Sequence, residues 1–410
     1  MINYRNGKLF IENVSFESLA RRFGTPLYVY SRSKLADNFS SFDSAFRRVP
    51  HIICYAVKAN SNHSLLKDLA RQGAGADITS GGELFRVLRA GFDPGKIVYA
   101  GTGKTRPEIE YALKNNVLIF NVESMEELSE INSAAKKLGR KARIAFRVNP
   151  NIDPHTHQYI TTGKEGGKFG IPYSEAIEAY KTAKRMAFVS VEGIHCHIGS
   201  QITELKPFKL AAERINRLVN KLSGEGIRLR YVNLGGGLGI RYDRENPPSP
   251  GALAKAVIPV FKGFSGTFIF EPGRYIAGNA GFFLVSVIYR KRAGGKNFLI
   301  VDGGMNDLVR PTLYDAYHNI IPVRRNSRSK VRVDVVGPIC ETGDFLGKER
   351  LLPWVERGGL LVVSCAGAYG YAMSSQYNSR LRAAEVIVDK NRARVIRKRE
   401  GYGDLIANEK

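Results

Sequence analysis

One lysine and one glycine-rich turn are the features of this sequence that most directly suggest chemistry. Lys58 follows the apolar run 52–57, and the three glycines at 235–237 follow the apolar run 231–234. In a poorly solvated site the pKa of a lysine amine falls, so the amine becomes a usable nucleophile. Glycine lets backbone N–H groups close on an anion such as a phosphate. Together these features predict pyridoxal phosphate held as a Schiff base by Lys58.

Two further side chains fit beside such a cofactor. A carboxylate at Glu271 could keep the pyridine nitrogen protonated, so that the ring stays an electron sink, and the imidazole of His197 could stack on the ring face. Each feature alone also has an ordinary structural explanation. Lys58 could reach solvent from a strand end, the glycines could serve tight packing, and Glu271 could pair with Arg274. The prediction depends on the combination.

The elements that would position these residues follow a repeating pattern. Eight apolar runs, separated by polar turns and amphipathic segments, lie at 52–57, 76–79, 97–100, 117–122, 142–148, 189–197, 231–234 and 267–271. Apolar strands that alternate with helices predict a parallel sheet covered on both faces. Eight such units fit a closed (β/α)8 barrel, in which active sites lie at the carboxyl ends of the strands. An open doubly wound sheet fits less well, because no Gly-x-Gly-x-x-Gly turn follows the first run.

The pattern changes near residue 281. Later apolar runs, at 282–289, 298–301, 331–336, 360–365 and 385–388, come without helical segments between them. They predict an antiparallel β domain, a β-sandwich or β-barrel, that the N-terminal runs 9–11 and 26–30 join. The expected domains are a cofactor-binding barrel at 32–279 and a β domain formed by 1–31 and 280–410.

The predicted β domain also carries residues that could do chemistry. Cys340 follows the run 331–336 and a Gly-Pro turn, and Glu341 lies beside it, so a thiol acid could stand at a cleft. Arg310 and Tyr314 lie in a loop-like segment and could bind a carboxylate.

Paired histidines raise the alternative of a metal site. His155 and His157 form one pair, and His195 and His197 form another, each after a predicted barrel strand. Zinc hydrolases use such pairs. No carboxylate-rich cluster completes the ligand set, and a metal would leave Lys58 and the glycines unexplained, so we expect no metal.

Composition restricts the class of protein. The 410 residues are 43% hydrophobic and 24% charged, which is typical of a globular chain. The four cysteines are scattered, no secretory signal is visible at the N-terminus, and no uncharged apolar run approaches the length of a spanning helix, so we expect a cytoplasmic protein. The formal net charge of +24 suggests nucleic acid, but the basic clusters lack interleaved aromatic residues, which favours a solvated surface.

Along nearly its whole length the sequence resembles the diaminopimelate decarboxylase family, fold type III enzymes that depend on pyridoxal phosphate. Several motifs occur in the family's order, which is more specific than any one of them. They are Tyr-Ala-Val-Lys-Ala-Asn at 55–60, Ser-Gly-Gly-Glu-Leu at 80–84, His-Ile-Gly-Ser-Gln at 197–201, Gly-Gly-Gly-Leu-Gly at 235–239, Glu-Pro-Gly-Arg at 271–274, Arg-Pro with Leu-Tyr at 310–314, Cys-Glu at 340–341 and Gly-Ala-Tyr at 367–369. The resemblance implies a barrel of the alanine-racemase type and a β domain.

The resemblance also implies roles for single residues. Lys58 corresponds to the Schiff-base lysine, His197 to the residue stacked on the cofactor, and Glu271 to the partner of the pyridine nitrogen. Contacts with the phosphate end are implied for Ser200, Gly235, Gly236, Gly237, Arg274 and Tyr369. Substrate contacts are implied for Arg274, Arg310 and Tyr314 at the distal carboxylate, for Glu341 at the distal ammonium and also for Tyr369, with Cys340 as a proton donor.

The activity implied by the resemblance is decarboxylation of meso-diaminopimelate at its D centre to L-lysine and CO2, the last step of lysine biosynthesis. The family also implies a homodimer with active sites shared across its interface, with no nucleic acid or membrane partner. Two alternatives stay open: a sister decarboxylase acting on ornithine, lysine or carboxynorspermidine, and a non-catalytic carrier of the cofactor. Whether Cys340 or Lys58 delivers the final proton is also open.

Overall fold

The computed structural model describes residues 2–153, 167–325 and 329–410 and divides into two compact units. The barrel unit comprises Asn38–Ile240 and Asn246–Tyr275, and the β unit comprises Met1–Asp37, Arg241–Glu245 and Ile276–Lys410.

The barrel unit contains a closed ring of eight parallel strands. In chain order the strands are His51–Ala56, Gly75–Ile78, Ile97–Tyr99, Ile119–Val122, Ala142–Asn149, Val189–His195, Tyr231–Asn233 and Thr267–Phe270. Each pairs with its neighbours in sequence, and Thr267–Phe270 pairs with His51–Ala56 to close the ring. The short strand Ile171–Pro172 extends the pairing beside Ala142–Asn149. The predicted (β/α)8 barrel is confirmed.

A helix follows each barrel strand. The eight helices are His63–Arg71, Gly81–Ala90, Arg106–Lys114, Met125–Lys137, Ala176–Lys184, Lys206–Gly224, Pro250–Val257 and Arg274–Ala277, and Arg32–Ala45 precedes the first strand. Several begin at side-chain caps, which satisfy backbone N–H groups that have no partner within a helix. Ser80 accepts from the Glu83 N–H, and Thr105 with Glu108 forms a capping box. These two caps fix where the loops that precede Gly81–Ala90 and Arg106–Lys114 end.

Most residues of the barrel strands are buried, and apolar side chains fill the space between the strands. One cluster joins Cys54, Val98, Leu118, Ile119, Ala145 and Ile269, contributed by different strands. Burying an aliphatic side chain stabilises the fold by roughly 1.5–3 kcal/mol. Polar residues at the strand ends are thereby held on a rigid scaffold.

The β unit is built on a sheet that is mixed rather than purely antiparallel. Its strands are Ile2–Arg5, Lys8–Ile11, Val14–Ser15, Leu27–Ser31, Gly281–Ala293, Lys296–Val301, Ile320–Pro322, Lys330–Val336, Phe345–Pro353, Leu360–Val363, Ala384–Asp389 and Arg392–Arg397, and its helices are Phe16–Phe23, Arg310–Tyr314 and Tyr402–Leu405. The first three strands form a small separate sheet.

Two parallel pairings make the sheet mixed. Leu27–Ser31 runs parallel to Ala384–Asp389, and Lys296–Val301 runs parallel to Lys330–Val336. Both pairs join strands that are far apart in sequence, and a long connection permits either direction, whereas a tight hairpin forces an antiparallel one. The prediction of a β domain is confirmed, and the prediction of exclusively antiparallel pairing is corrected. In the described residues no helix combines the length and the apolar character that crossing a membrane requires.

Candidate active site

Lys58 lies in the one-turn helix Val57–Ala59, directly after the first barrel strand. Its Nζ donates to Oδ2 of Asp77 at 2.7 Å, and Asp77 lies on the adjacent strand Gly75–Ile78. The lysine side chain is 41% exposed, whereas Asp77 is fully buried. The Lys58 amine is therefore accessible to solvent and is hydrogen-bonded to a buried carboxylate.

Asp77 is a functional candidate that the sequence analysis missed. Burial raises the pKa of Asp77 to about 7, the charge of Glu271 adds to the rise, and Lys58 opposes it. Its second oxygen, Oδ1, is buried and has no hydrogen-bond partner among the described residues. A carboxylate with this pKa, in contact with the reactive amine, can exchange a proton with it near neutral pH. The signal in the sequence was one charged residue inside an apolar run.

Glu271 follows the last barrel strand and is almost completely buried. Its Oε1 accepts from Asn233 Nδ2 at 2.7 Å and from Asn121 Nδ2 at 3.3 Å. Its Oε2 lies 3.3 Å from Nε2 of His195. Burial alone would raise the pKa of Glu271, but the nearby His195, with a contribution from Lys58, holds this pKa well below its usual range. Glu271 is therefore an ionised carboxylate in a buried site.

The glycine turn after the strand Tyr231–Asn233 has no room for side chains. A Cβ on Gly235 would lie 2.6 Å from the Cys196 carbonyl oxygen, and one on Gly236 would lie 2.2 Å from the Glu271 carbonyl oxygen. Gly237 has φ of +108°, a conformation that favours glycine. The backbone of this turn thus packs directly against the neighbouring strand ends.

His197 and Asn233 anchor this turn. The Gly236 N–H donates to Nδ1 of His197 at 3.1 Å, and the Gly235 N–H donates to Oδ1 of Asn233 at 2.9 Å. Burial, together with the charges of Arg147 and Lys58, lowers the pKa of His197 well below its ordinary value. His197 is therefore a neutral imidazole, which can lie against an aromatic ring.

Ser200 and Arg274 form a further pair of donors. Arg274 is buried, and its Nε and Nη2 donate to the Ser200 Oγ at 3.3 and 3.1 Å. The sequence left open that Glu271 serves only as an ion-pair partner of Arg274. In the structure Arg274 contacts Ser200 instead. The hydroxyl and the guanidinium together present N–H and O–H groups suited to a phosphate.

These residues fit pyridoxal phosphate. The cofactor needs an amine for its aldehyde, donors for its phosphate and an anion for its pyridine nitrogen. Lys58 offers the amine, Glu271 the buried ionised carboxylate, and the glycine turn with Ser200 and Arg274 the donors. Because a Cβ at Gly235 or Gly236 would collide with backbone, the close approach of bare backbone in this turn is a fixed property of the fold.

The β unit holds the remaining predicted site residues. Arg310 begins the helix Arg310–Tyr314 and is buried, with its Nη1 2.8 Å from Nε2 of His318. The hydroxyl of Thr312 in this helix donates to the Gly343 carbonyl at 2.6 Å, which ties the helix to the turn that carries Cys340 and Glu341. Arg310, Tyr314, Cys340 and Glu341 are thereby grouped within one unit.

Cys340 and Glu341 stand on the surface of this unit. Cys340 is exposed, and its backbone N–H donates to Oδ1 of Asn378 at 2.8 Å. Glu341 accepts from the hydroxyl of Tyr377 at 2.8 Å, a partner that the sequence analysis did not identify. Tyr369 lies after the strand Leu360–Val363 with φ of +57°. That the predicted cofactor residues of the barrel unit and the predicted substrate residues of the β unit act on the same ligand remains a prediction.

The alternative of a metal site concerns two histidine pairs, of which one lies within the described residues. There, no group of three or more His, Cys, Asp or Glu side chains could hold a metal ion. His195 contacts Glu271 and His197 contacts the glycine turn. His155 and His157 lie outside the described residues.

Comparisons with known proteins agree with this site. A family model described as the pyridoxal-binding domain of pyridoxal-dependent decarboxylases matches residues 32–278. The chain is 50% identical to the diaminopimelate decarboxylase of Aquifex aeolicus, covering 99% of this chain and 96% of that protein. It is 49% identical to the diaminopimelate decarboxylase of Pseudomonas aeruginosa, covering 99% and 98%. The prediction of a pyridoxal phosphate enzyme is confirmed.

Solved structures of similar proteins share the fold. The diaminopimelate decarboxylase of Helicobacter pylori, complexed with L-lysine, has a TM-score of 0.94 at 42% identity, covering 96% of this chain and 99% of that one. The M. jannaschii enzyme in co-complex with L-lysine has a TM-score of 0.96 at 39% identity, covering 100% and 98%. Lysine decarboxylase from Selenomonas ruminantium is more distant, with 25% identity, a TM-score of 0.81 and coverage of 90% and 94%.

Proposed function

The chain belongs to the diaminopimelate decarboxylase family of pyridoxal-dependent decarboxylases, and we propose that it converts meso-2,6-diaminopimelate to L-lysine and CO2. The carboxylate at the D centre is the one removed, and the reaction is the last step of lysine biosynthesis. The observation that carries the proposal is the presence, on one barrel, of the Lys58 amine and the buried ionised carboxylate of Glu271. An amine to hold an aldehyde and an anion to hold a protonated pyridine are the two requirements of the cofactor's chemistry.

Different barrel residues would bind different parts of the cofactor. When bound, pyridoxal phosphate supplies an electron sink for the pair left behind by departing CO2. Lys58 would bind its aldehyde, Glu271 would keep a proton on its pyridine nitrogen, and the neutral imidazole of His197 would pack against its ring. Its phosphate would be held by Ser200, Gly235, Gly236, Gly237, Arg274 and Tyr369. Asp77 accepts from Lys58 Nζ at 2.7 Å and can exchange a proton with this amine.

The second group of residues selects the substrate. Arg274, Arg310 and Tyr314 bind the distal carboxylate, Glu341 binds the distal ammonium, and Tyr369 also contacts the substrate. An arginine binds a carboxylate through two parallel hydrogen bonds, so the geometry is strict. A site that holds a buried charge rejects ligands that leave that charge unpaired. Such a site favours a substrate with amino and carboxylate groups at both ends over ornithine or lysine. After CO2 leaves, Cys340 or Lys58 returns a proton to Cα.

We further propose the organisation that supports this chemistry. Residues 32–279 form the cofactor-binding domain, and 1–31 with 280–410 form the second domain. Exposed Cys340 and Glu341 serve the site of a second copy of the chain, so the working enzyme is a homodimer. The enzyme acts in the cytoplasm, where its substrate and product are small soluble amino acids.

The test is release of CO2 from meso-diaminopimelate by the purified chain with added pyridoxal phosphate. A parallel panel of L-lysine, L-ornithine and carboxynorspermidine separates this activity from the sister decarboxylases. Lys58→Ala removes the amine, so the visible absorbance of the bound cofactor and the release of CO2 should both disappear. The matched control is Lys67→Ala, an exposed lysine on the next helix, which should retain both. Turnover and yellow colour that survive in Lys58→Ala contradict the assignment.

A further inference from the structure

A buried contact in the β unit joins Arg310 to a histidine that the sequence analysis did not single out. Arg310 Nη1 lies 2.8 Å from Nε2 of His318, and His318 is completely buried. The other ring nitrogen, Nδ1, lies 2.8 Å from the carbonyl oxygen of Ser364. Ser364 in turn donates its backbone N–H to the carbonyl of Asn319 at 2.8 Å. The imidazole is therefore fixed against backbone on a neighbouring segment.

The two partners of His318 define its protonation. A guanidinium N–H can only donate, so Nε2 must accept and carries no proton. A carbonyl oxygen can only accept, so Nδ1 carries the proton. The imidazole in this arrangement is neutral, with its tautomer assigned from the hydrogen-bond partners.

A neutral partner matters for an arginine that has to bind an anion. In the barrel unit, Arg147 pairs with the carboxylate of Glu123 at 2.9 Å, so its positive charge is compensated within the fold. The contact of Arg310 with His318 orients the guanidinium and adds no negative charge. The His318 contact thus orients the Arg310 guanidinium for a carboxylate ligand without neutralising its positive charge.

The ring of Tyr242 completes the packing around this pair. The Arg310 Cζ lies 4.8 Å from the centroid of that ring, and the Tyr242 and His318 rings meet edge to face at 5.2 Å and 81°. The Tyr242 ring contacts the guanidinium through its central carbon, and His318 contacts it through Nη1, so two separate contacts limit the movement of this group before a ligand arrives.

We propose that His318 is a positioning residue for substrate selection. It holds the Arg310 guanidinium in the orientation that binds the distal carboxylate, through a neutral acceptor at Nε2. This inference rests on the proposed function, in which Arg310 binds that carboxylate. His318 acts through Arg310 and contacts neither the cofactor nor the reacting atoms.

The test compares His318→Leu, which removes the acceptor, with His318→Gln, whose side-chain oxygen can replace it. In His318→Leu the KM for meso-diaminopimelate should rise roughly tenfold or more with kcat within about twofold, because only binding of the distal end is weakened. His318→Gln should restore most of the loss. Tyr317→Leu is the matched control, since this neighbour packs against Arg350 at 3.7 Å and should leave KM unchanged.

Inhibition by product-like ligands distinguishes a loss of Arg310 positioning from a general disruption of the site in His318→Leu. L-lysine keeps the distal carboxylate and 1,5-diaminopentane lacks it, so the His318→Leu variant should weaken inhibition by lysine and leave inhibition by the diamine unchanged. A purely structural role would move both constants or neither. Equal weakening of both ligands, or a glutamine variant as defective as the leucine variant, overturns the inference.

A third variant separates failure of the inference from failure of the proposed function. Arg310→Gln should raise KM at least as far as His318→Leu does. If Arg310→Gln leaves KM and lysine inhibition unchanged, the binding role of Arg310 is wrong. If Arg310→Gln raises KM while folded His318→Leu stays within twofold of the parent, His318 has no positioning role.

A spectroscopic measurement on the unaltered holoenzyme covers the case in which the leucine variant does not fold. The chain has seven histidines, so selective 15N labelling gives a spectrum simple enough to assign by comparison with His318→Gln. His318 should show a protonated Nδ1 and an unprotonated Nε2. A protonated Nε2 cannot accept from Arg310 and would rule the proposal out.

Discussion

Asn233 holds two parts of the cofactor site at once, which makes its removal informative. Its Nδ2 donates to Glu271 Oε1 at 2.7 Å, and its Oδ1 accepts from the Gly235 N–H at 2.9 Å. We expect Asn233→Ala to impair both the proposed contact of Glu271 with the pyridine nitrogen and the proposed contact of the glycine turn with the phosphate. Asn121→Ala is the matched control, because Asn121 donates to the same Glu271 oxygen at the longer distance of 3.3 Å.

The magnitude follows from the two bonds. A hydrogen bond to a charged group contributes about 1.5–3 kcal/mol, which corresponds to a factor of roughly 10–150 in a rate or binding constant. The Gly235 N–H, left buried without its acceptor, costs about 1–3 kcal/mol in addition. Since Asn233 is buried, both costs are fully expressed. Asn121→Ala loses one weak donation to Glu271, so its effect should stay below about tenfold.

Three assays separate these effects. Titration of the apoprotein with pyridoxal phosphate, followed by visible absorbance, measures how much cofactor affinity the altered turn loses. The value of kcat for CO2 release at saturating cofactor measures the effect of the weakened support of Glu271. Urea unfolding of the apoprotein reports the cost of the unpaired N–H. Asn233→Ala should bind the cofactor about tenfold or more weakly and lose kcat by the factor given above. Equal losses in the two variants, or an unchanged kcat in folded Asn233→Ala, would refute the reasoning.

Three further predictions follow from single residues. Gly236→Ala should destabilise the fold by about 1–3 kcal/mol and reduce cofactor absorbance, because its Cβ would lie 2.2 Å from the Glu271 carbonyl oxygen; a thermal melt and a spectrum check this. Burial raises the pKa of Asp307 to about 7, above its unfolded value, so stability should fall by up to about 4 kcal/mol as pH rises from about 4 to 7. Asp307→Asn should flatten that decline in urea unfolding measured across this range, and an unchanged pH profile would contradict the assignment. Cys340→Ala should lower kcat while leaving cofactor absorbance intact, and full activity would identify Lys58 as the proton donor.

The residues that the sequence identified share one property: they stand at strand ends next to recognisable turns. Lys58, Glu271 and the glycines at 235–237 follow apolar runs directly, and the barrel brings the ends of its strands together. Their placement therefore depends only on the order of strands and helices, which the apolar pattern determines. The strand pattern also predicted the β domain, although it could not give strand direction for pairs far apart in the chain.

The residues that the sequence did not identify act through partners distant in the chain. Asp77 lies within an apolar strand run, and its role becomes visible only once the adjacent strand places Lys58 at 2.7 Å. Asn233 is an ordinary strand residue until Glu271, 38 positions later, accepts its amide. His318 looks like any polar residue in a loop, and only packing brings it to Arg310 and Ser364.

What the sequence by itself determined is thus the barrel and the dependence on pyridoxal phosphate, because periodicity and motif order are local properties of the chain. The tertiary structure alone decided the protonation of the site. The ionised state of Glu271, the pKa of Asp77 near 7 and the neutral imidazole of His197 arise from burial and from charges contributed by different strands. Those quantities depend on distances between side chains, which no local pattern of residues specifies.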